Sequence, residues 1–202
     1  MSHYFTNDYV KSEEKVVKVK INDEDFTFVT DNGVFSKSGL DFGTRTLLEN
    51  LKLEEIKGEV LDFGCGYGPI GIYVAKNTEA LVDMLDINKR SLELARKNAL
   101  LNDASVNIFE SNIYENVSKK YDFIITNPPI RVGKETLYQI LFGARRYLNK
   151  AGELWLVVNK NQGAKTVARD LEKDYDVTII KKNKGFYIIR AKNRWQFASK
   201  HL

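Results

Sequence analysis

The chain has 202 residues, 43% of them hydrophobic, with a single cysteine, two histidines and a net charge of +4. This composition predicts one globular domain in the cytoplasm, because no apolar run would span a membrane, the polar N-terminus is unlike a signal peptide, and one cysteine forms no internal disulfide. Both histidines lie near the chain ends, which argues against His/Cys zinc sites and against Ser-His-Asp or Cys-His catalysis, and we expect no metal.

The segment 15–35 is predicted to form a small N-terminal β-hairpin. Its stretches KVVKVKI and DFTFVT are rich in β-branched and aromatic residues, and the polar NDE between them is typical of a turn. The following TRTLLENL predicts a short helix, for which Thr44 is a candidate N-cap. We expect the hairpin and a core at 36–192 to form one domain over 1–192, followed by a tail at 193–202.

From residue 59 onward, apolar runs typical of strands alternate with amphipathic stretches typical of helices. This alternation predicts an α/β fold in which helices cover both faces of a parallel sheet. The last two strand-like runs, DVTIIKK and GFYIIRAK, are separated by a few residues around Gly185, and so short a connection permits only an antiparallel pair. We therefore predict a mostly parallel seven-stranded sheet with an antiparallel last strand.

The stretch LDFGCGYGPIG follows the pattern of a ligand-binding loop. Asp62 ends the first core strand, and Gly64, Gly66 and Gly68 lead into a helix. Read from Gly66, the letters satisfy G-x-G-x-x-G, and Asp86 ends the next strand, where a carboxylate accepts from ribose hydroxyls, so a dinucleotide is one candidate ligand. However, DFGCGYG resembles the D/E-x-G-x-G-x-G motif of class I S-adenosylmethionine (SAM) methyltransferases. An acidic strand end suits SAM, which has no phosphate but carries an amino group and a sulfonium.

This resemblance implies a SAM site at the ends of neighbouring strands. Asn112 falls where the fold usually has an acidic residue that contacts the adenine amine, and Ile87 and Ile113 would sandwich the ring. The alternatives are turn or helix capping for the two aspartates and a core role for the two isoleucines. The expected cofactor-binding residues are Asp62, Gly64, Cys65, Gly66, Gly68, Asp86, Ile87, Asn112, Ile113 and Asn127; among these, Cys65 is a small packing residue of the loop.

The other two prolines are adjacent, in TNPPIRVGKE, at the end of the fourth core strand. Two prolines fix φ and remove N–H donors, which leaves outward carbonyls on a rigid turn. The Asn127 side-chain oxygen and the Pro128 carbonyl can each accept one hydrogen of an –NH₂ group. Asn-Pro-Pro here resembles motif IV of methyltransferases that modify exocyclic amines and amides, and a plain turn is the alternative. We predict a catalytic group of Asn127, Pro128, Pro129 and Ile130.

The residues around this turn indicate which group of amine methyltransferases the chain resembles. Ile130 stands where DNA adenine-N6 and protein glutamine-N5 enzymes usually carry an aromatic residue. NPPIRVGKE and the upstream GVFSKSGLDFGTRTLL instead resemble the small-domain family typified by ribosomal small-subunit RNA guanine-N2 methyltransferases, over roughly residues 15–192. That resemblance implies a Rossmann-like class I methyltransferase fold and methylation of guanine N2 in ribosomal RNA or a ribosomal assembly intermediate. Larger members of the family carry a second, N-terminal copy of the domain.

The positive charge of the chain is concentrated near its C-terminus, which is relevant to the expected RNA partner. Residues 160–202 contain 11 Lys/Arg and 4 Asp/Glu, which is consistent with RNA binding or with an ordinary solvated surface. Four substrate-binding residues are expected, namely Arg131, Lys134, Phe35 and Thr44. Three alternatives stay open: another acceptor amine in adenine, cytosine or glutamine, a nicotinamide oxidoreductase, and an RNA-binding protein without turnover.

Overall fold

A computed structural model describes residues 12–32, 39–129 and 132–194. The strands and helices alternate as the sequence predicts. In chain order they are β1 (Lys15–Ile21), β2 (Glu24–Thr30), α1 (Phe42–Glu49), β3 (Glu59–Phe63), α2 (Pro69–Asn77), β4 (Leu81–Asp86), α3 (Lys89–Leu101), β5 (Asn107–Glu110), β6 (Tyr121–Thr126), α4 (Lys134–Tyr147), β7 (Leu148–Asn159), α5 (Ala164–Leu171), β8 (Tyr175–Asn183) and β9 (Phe186–Asn193).

Seven strands form the main sheet in the order β5-β4-β3-β6-β7-β9-β8. Strands β3 to β7 pair in parallel, and β9 runs antiparallel to both of its neighbours. The predicted antiparallel last strand is therefore confirmed. Because β9 lies between β7 and β8, β8 runs in the same direction as the parallel strands. The C-terminal ends of all strands except β9 consequently share one side of the sheet, called here the carboxyl edge; the opposite side is the amino edge.

Helices cover both faces of the sheet, as predicted. One face packs against α1, α2, α3 and the hairpin, and the other packs against α4 and α5. Strands covered on both faces are buried along most of their length, which is why β3 and β6 are largely apolar without a strict alternation. None of the helices in the described ranges has the length and apolar character that crossing a membrane requires.

The predicted hairpin forms from β1 and β2, and residues 33–35 of the expected range lie outside the described residues. Its turn uses Asn22 and Asp23 at φ 45° and 67°, as a two-residue hairpin turn of this twist requires. The hairpin is held to α3 by two buried asparagines. Asn98 accepts from the Val29 N–H at 2.7 Å and donates to the Val29 carbonyl at 2.9 Å, and Asn102 makes the same pair of bonds with Thr27.

The cap of α1 differs from the prediction. Asp41, not Thr44, is the N-cap, and its side chain accepts from the Thr44 N–H at 3.1 Å. Asp41 has the extended backbone of a capping residue, whereas Thr44 already lies inside the first helical turn. The Thr44 hydroxyl is thereby free to bond with another part of the chain.

Candidate active site

The ends of β3, β4 and β6 are joined at the carboxyl edge by three hydrogen bonds. The buried Thr126 hydroxyl donates to the Phe63 carbonyl at 2.8 Å, which fixes the end of β6 against the start of the glycine loop. The loop is tied to β4 by the Cys65 N–H, which donates to the Leu85 carbonyl at 2.9 Å, and by the Gly66 N–H, which donates to Asp86 at 2.9 Å. The glycine loop, Asp86 and the turn after β6 are thus assembled into one region.

The loop glycines have two different roles. Gly64 and Gly66 have φ of +69° and +55°, and a Cβ added at either would meet no atom within 4 Å, so they border open space that a ligand can enter. Gly68, at φ +104°, is buried, and a Cβ there would lie 2.9 Å from the Ile72 side chain and 3.0 Å from Met84. Gly68 therefore allows close packing of α2 on the sheet, and its expected cofactor contact stays a prediction. Cys65 is buried as a packing residue, and burial raises its thiol pKa.

Asp62 carries an unusual buried carboxylate. One oxygen accepts from the Gly71 N–H at 2.8 Å in the first turn of α2, and the other has no hydrogen-bond partner among the described residues. Burial raises the pKa of Asp62 to about 7, and the nearby charge of Asp86 acts in the same direction. Asp62 thus has the capping role considered from the sequence together with a spare acceptor. A cationic group at the loop would stabilise its ionised form.

Asp86 is half-buried at the end of β4. One oxygen accepts from the Asn88 N–H and the other from the Gly66 N–H, both at 2.9 Å. Burial raises its pKa, and these hydrogen bonds lower it. A carboxylate offers about four lone-pair positions, so Asp86 can hold the loop and still accept from two hydroxyl groups.

The residues expected around an adenine ring lie at the adjacent ends of β4 and β5. Ile87 and Ile113 are half-buried, and Asn112 is exposed, with its amide donating to Glu115 at 2.9 Å. Ile113 has a φ of +50°, a conformation that costs a β-branched residue about 1–3 kcal/mol. Its carbonyl is held by the Ser111 hydroxyl at 3.0 Å. Strained backbone beside a candidate pocket is consistent with a functional constraint on Ile113.

The side chain of Asn127 is oriented by two residues of the α1 start. Its amide nitrogen donates to the Thr44 hydroxyl at 2.9 Å and lies 3.4 Å from an Asp41 carboxylate oxygen. Because a carboxylate only accepts, the Asp41 contact identifies the NH₂ group and turns the carbonyl oxygen the other way, and the Thr44 hydroxyl acts as the second acceptor. We call Asp41 and Thr44 the amide clamp.

The clamp changes what the sequence predicted for its members. Thr44 was expected to contact the substrate, but it is only 3% exposed and touches Asn127 instead. Asp41 was recognised only as a position that matches the family's motif, with no assigned role. The contact joins residues more than 80 positions apart, so no local signal could have revealed it.

The remaining expected residues divide into two groups. Lys134 is exposed at the first turn of α4, at the carboxyl edge, with its ammonium group 5.2 Å from the Tyr138 ring centroid. Pro128 is buried and Pro129 half-buried beside Asn127. Three residues lie outside the described ranges, namely Phe35, Ile130 and Arg131.

Comparisons with known proteins agree with this geometry. A family model described as "Methyltransferase small domain" matches residues 25–190. The uncharacterized protein YbxB of Bacillus subtilis is 41% identical over 196 residues, which cover 94% of this chain and 98% of that protein. The ribosomal RNA small subunit methyltransferase C of Colwellia psychrerythraea is 34% identical over 183 residues, which cover 88% of this chain and 50% of that protein.

A solved structure extends the comparison to the fold. The Thermus thermophilus 16S rRNA N2 G1207 methyltransferase (RsmC), solved with AdoMet and guanosine, superposes with a TM-score of 0.80 at 25% identity, over 90% of this chain and 51% of that one. The chain thus spans about half the length of the ribosomal RNA methyltransferases that it matches. It has the Rossmann-like methyltransferase fold, and it belongs to the methyltransferase small-domain family.

Proposed function

We propose that this SAM-dependent methyltransferase acts on an exocyclic amine, guanine N2 of ribosomal RNA or of a ribosomal assembly intermediate. The observation that carries the proposal is the Asn127 amide, held by the clamp with its oxygen available beside the glycine loop. The names of the related proteins support RNA as the substrate, and the guanosine bound to the Thermus relative supports the base.

The described residues fit SAM better than a dinucleotide. Gly64 and Gly66 leave open space, Asp86 has spare acceptor capacity for ribose hydroxyls, and Asp62 offers an orphaned acceptor to a cation. A buried carboxylate beside the loop disfavours the pyrophosphate of a nicotinamide cofactor. In our proposal Ile87, Asn112 and Ile113 surround the adenine. When bound, SAM supplies the electrophilic methyl group.

The chain's own contribution to the reaction is to prepare the acceptor nitrogen. A guanine amine is conjugated with its ring and is a poor nucleophile. The Asn127 oxygen and the Pro128 carbonyl would each accept one of its hydrogens, which favours a tetrahedral nitrogen and stabilises the positive charge that develops on it. Pro129 stiffens the turn, and Ile130 stays a predicted member of the catalytic group. The proton can leave after transfer, so the reaction needs no strong base.

The amide clamp determines which end of the Asn127 amide faces the substrate. If the Asn127 amide were flipped, its NH₂ group would face the substrate amine and two donors would meet. The Asp41 carboxylate disfavours that orientation, because it only accepts and would face the amide oxygen instead of a donor. Since the guanine amine is engaged in base pairs within RNA helices, we expect the substrate base to be single-stranded or flipped out.

The test is methyl transfer from labelled SAM to ribosomal RNA purified from a strain that lacks the protein, followed by nucleoside mass spectrometry. We expect N2-methylguanosine with the wild-type protein and almost none with Asn127→Ala, while the Kd for SAM stays unchanged. Asn116→Ala, at an exposed asparagine of the β5–β6 connection, is the matched control. Full activity of Asn127→Ala would refute the mechanism. N6-methyladenosine as the product would replace guanine by adenine as the acceptor, and no transfer at all would favour an RNA-binding protein without turnover.

A further inference from the structure

The basic residues of the C-terminal third are not equivalent. At the amino edge, where α4 and α5 end, four cations pair with carboxylates of α5, of the α5–β8 connection and of β8, whereas Lys57 and Lys192 form no ion pair within the described residues. The ion pairs are Arg145–Asp174 at 2.9 Å, Arg169–Asp170 at 3.2 Å, Arg194–Asp176 at 2.6 Å and Lys173–Asp170 at 4.0 Å.

The carboxyl edge carries a second set of basic residues. Lys160 follows β7, Lys182 lies near the end of β8, and Lys184 lies in the turn between β8 and β9; all three are exposed. The Lys160 N–H donates to the Gly185 carbonyl at 2.7 Å, which brings the two segments together. Within the described part of the chain, none of the three lysines forms an ion pair with a carboxylate. We call these three residues the lysine edge.

The lysine edge is packed directly against the element that orients Asn127. The Lys184 ammonium lies 5.1 Å from the centroid of the Phe42 ring, and the Phe42 and Phe186 rings are 5.8 Å apart. A Cβ at Gly43 would lie 2.8 Å from the Phe186 ring, so the turn and the start of α1 fit closely. Phe42 follows Asp41 of the clamp, so the Lys184 ammonium lies close to the element that orients Asn127.

We propose that the lysine edge binds the phosphate backbone of the RNA strand whose base reaches Asn127. This inference rests on the proposed function, since it assigns the contacts that hold the substrate of the same site. Exposed lysines without carboxylate partners can replace the counterions of a nucleic acid. The half-buried aromatic rings of Phe42 and Phe186 beside them are typical of surfaces that bind single-stranded RNA.

The experiment compares two triple variants of the full chain. Lys160→Ala/Lys182→Ala/Lys184→Ala removes the lysine edge. Lys57→Ala/Lys173→Ala/Lys192→Ala removes the same charge from exposed positions at the amino edge. Binding of a fluorescein-labelled single-stranded fragment of unmodified ribosomal RNA is measured by anisotropy from 50 to 300 mM KCl, beside the Kd for SAM and the Tm.

We expect the lysine-edge variant to lower the slope of log K against log[salt] by about 2, since a single strand loses about 0.7 per phosphate contact. At 0.1 M salt this corresponds to about 100-fold weaker binding. The control variant should keep the wild-type slope, and neither variant should change the Kd for SAM. Equal losses in the two variants, or an unchanged slope without the lysine edge, would overturn the proposal.

Methyl transfer to the same RNA separates this proposal from the proposed function. If the wild-type protein transfers methyl while the lysine-edge variant keeps the wild-type salt slope and the wild-type KM for RNA, the role of the lysine edge is refuted and the proposed function is left intact. If the wild-type protein binds RNA through the lysine edge but transfers no methyl group, the proposed function is refuted and the RNA-binding role of the lysine edge is retained.

Discussion

Around Asn127, different residues bind the substrate amine and orient the Asn127 side chain. Asn127 and Pro128 supply the acceptors for the amine, whereas Thr44 and Asp41 decide which end of the amide faces it. Thr44 is buried and touches no open space, so we infer that it acts through Asn127. A positioning residue of this kind should affect turnover more than cofactor binding.

Replacing Thr44 by valine tests this positioning role. Thr44→Val keeps the shape of the side chain but removes the shorter of the two contacts that hold the Asn127 amide, so the productive orientation is less strongly favoured. We expect kcat to fall about tenfold, equivalent to about 1.4 kcal/mol, with an unchanged Kd for SAM. Thr46→Val is the matched control, because the Thr46 hydroxyl is equally buried but donates only to the Phe42 carbonyl of its own helix. Equal kcat values for the two variants would refute the role.

The buried Asp62 makes a prediction about pH. Its folded-state pKa of about 7 is above the ordinary value of 3.8, so the folded chain binds a proton that the unfolded chain has released between about pH 4 and pH 7. Asp62 therefore lowers the free energy of unfolding as the pH rises through this window, by a few kcal/mol in order of magnitude. Asp62→Asn keeps an acceptor for Gly71 but cannot ionise.

Urea unfolding at pH 5, 6, 7 and 8 measures this effect. We expect the stability of Asp62→Asn relative to wild type to rise from pH 5 to pH 7 and to level off above it. Asp25→Asn, at an exposed position in β2, is the matched control. A difference from wild type for Asp62→Asn that does not change with pH would mean that the Asp62 carboxyl is already ionised at pH 5.

At the scale of elements, two asparagine side chains pair with the outer edge of the hairpin. Strand β2 pairs with β1 on one side, and on its other side Asn98 and Asn102 of α3 bond to its backbone as a neighbouring strand would. Asn98 also donates to the Tyr67 carbonyl at 2.8 Å, inside the glycine loop. The hairpin, α3 and the loop are therefore one connected unit, and the hairpin helps to fix the loop.

The elements could be predicted because their signals are local. The alternation of apolar runs, the short connection near Gly185 and the loop after Asp62 each depend on adjacent residues, and the corresponding elements are confirmed. The position of β9 between β7 and β8 had no such signal, because it depends on which sheet face and edge remain available after the other strands have paired.

The site could be predicted only in part, for the same reason. Asn127 and the loop glycines carry dense local motifs, and strand order brings them together. The amide clamp depends on how α1 packs against the end of β6, and which basic residues form ion pairs depends on where distant carboxylates lie. The motif also gave no sign that Gly68 allows close packing against Met84, because that contact depends on a neighbouring strand.

For the whole molecule, the proposed cofactor site and the stability of the fold are linked, because the site draws residues from the ends of β3, β4, β5 and β6. A ligand that binds only when these ends are assembled stabilises the folded chain by mass action. The amount depends on its Kd and concentration, so a thermal shift reports on the identity of the ligand without any assay of methyl transfer.

SAM should therefore raise the Tm while NADH should leave it unchanged. At a SAM concentration about 100 times its Kd, binding adds about 2.7 kcal/mol, which raises the Tm of a chain of this length by about 5–10 °C. Asp86→Ala should weaken SAM binding about tenfold and so reduce the shift by about half at the same concentration. Glu79→Ala, an exposed change just before β4 and at the amino edge, should keep the full shift. A Tm shift with NADH but not with SAM would reverse the choice of ligand. A full SAM-induced shift in Asp86→Ala would show that Asp86 does not bind SAM.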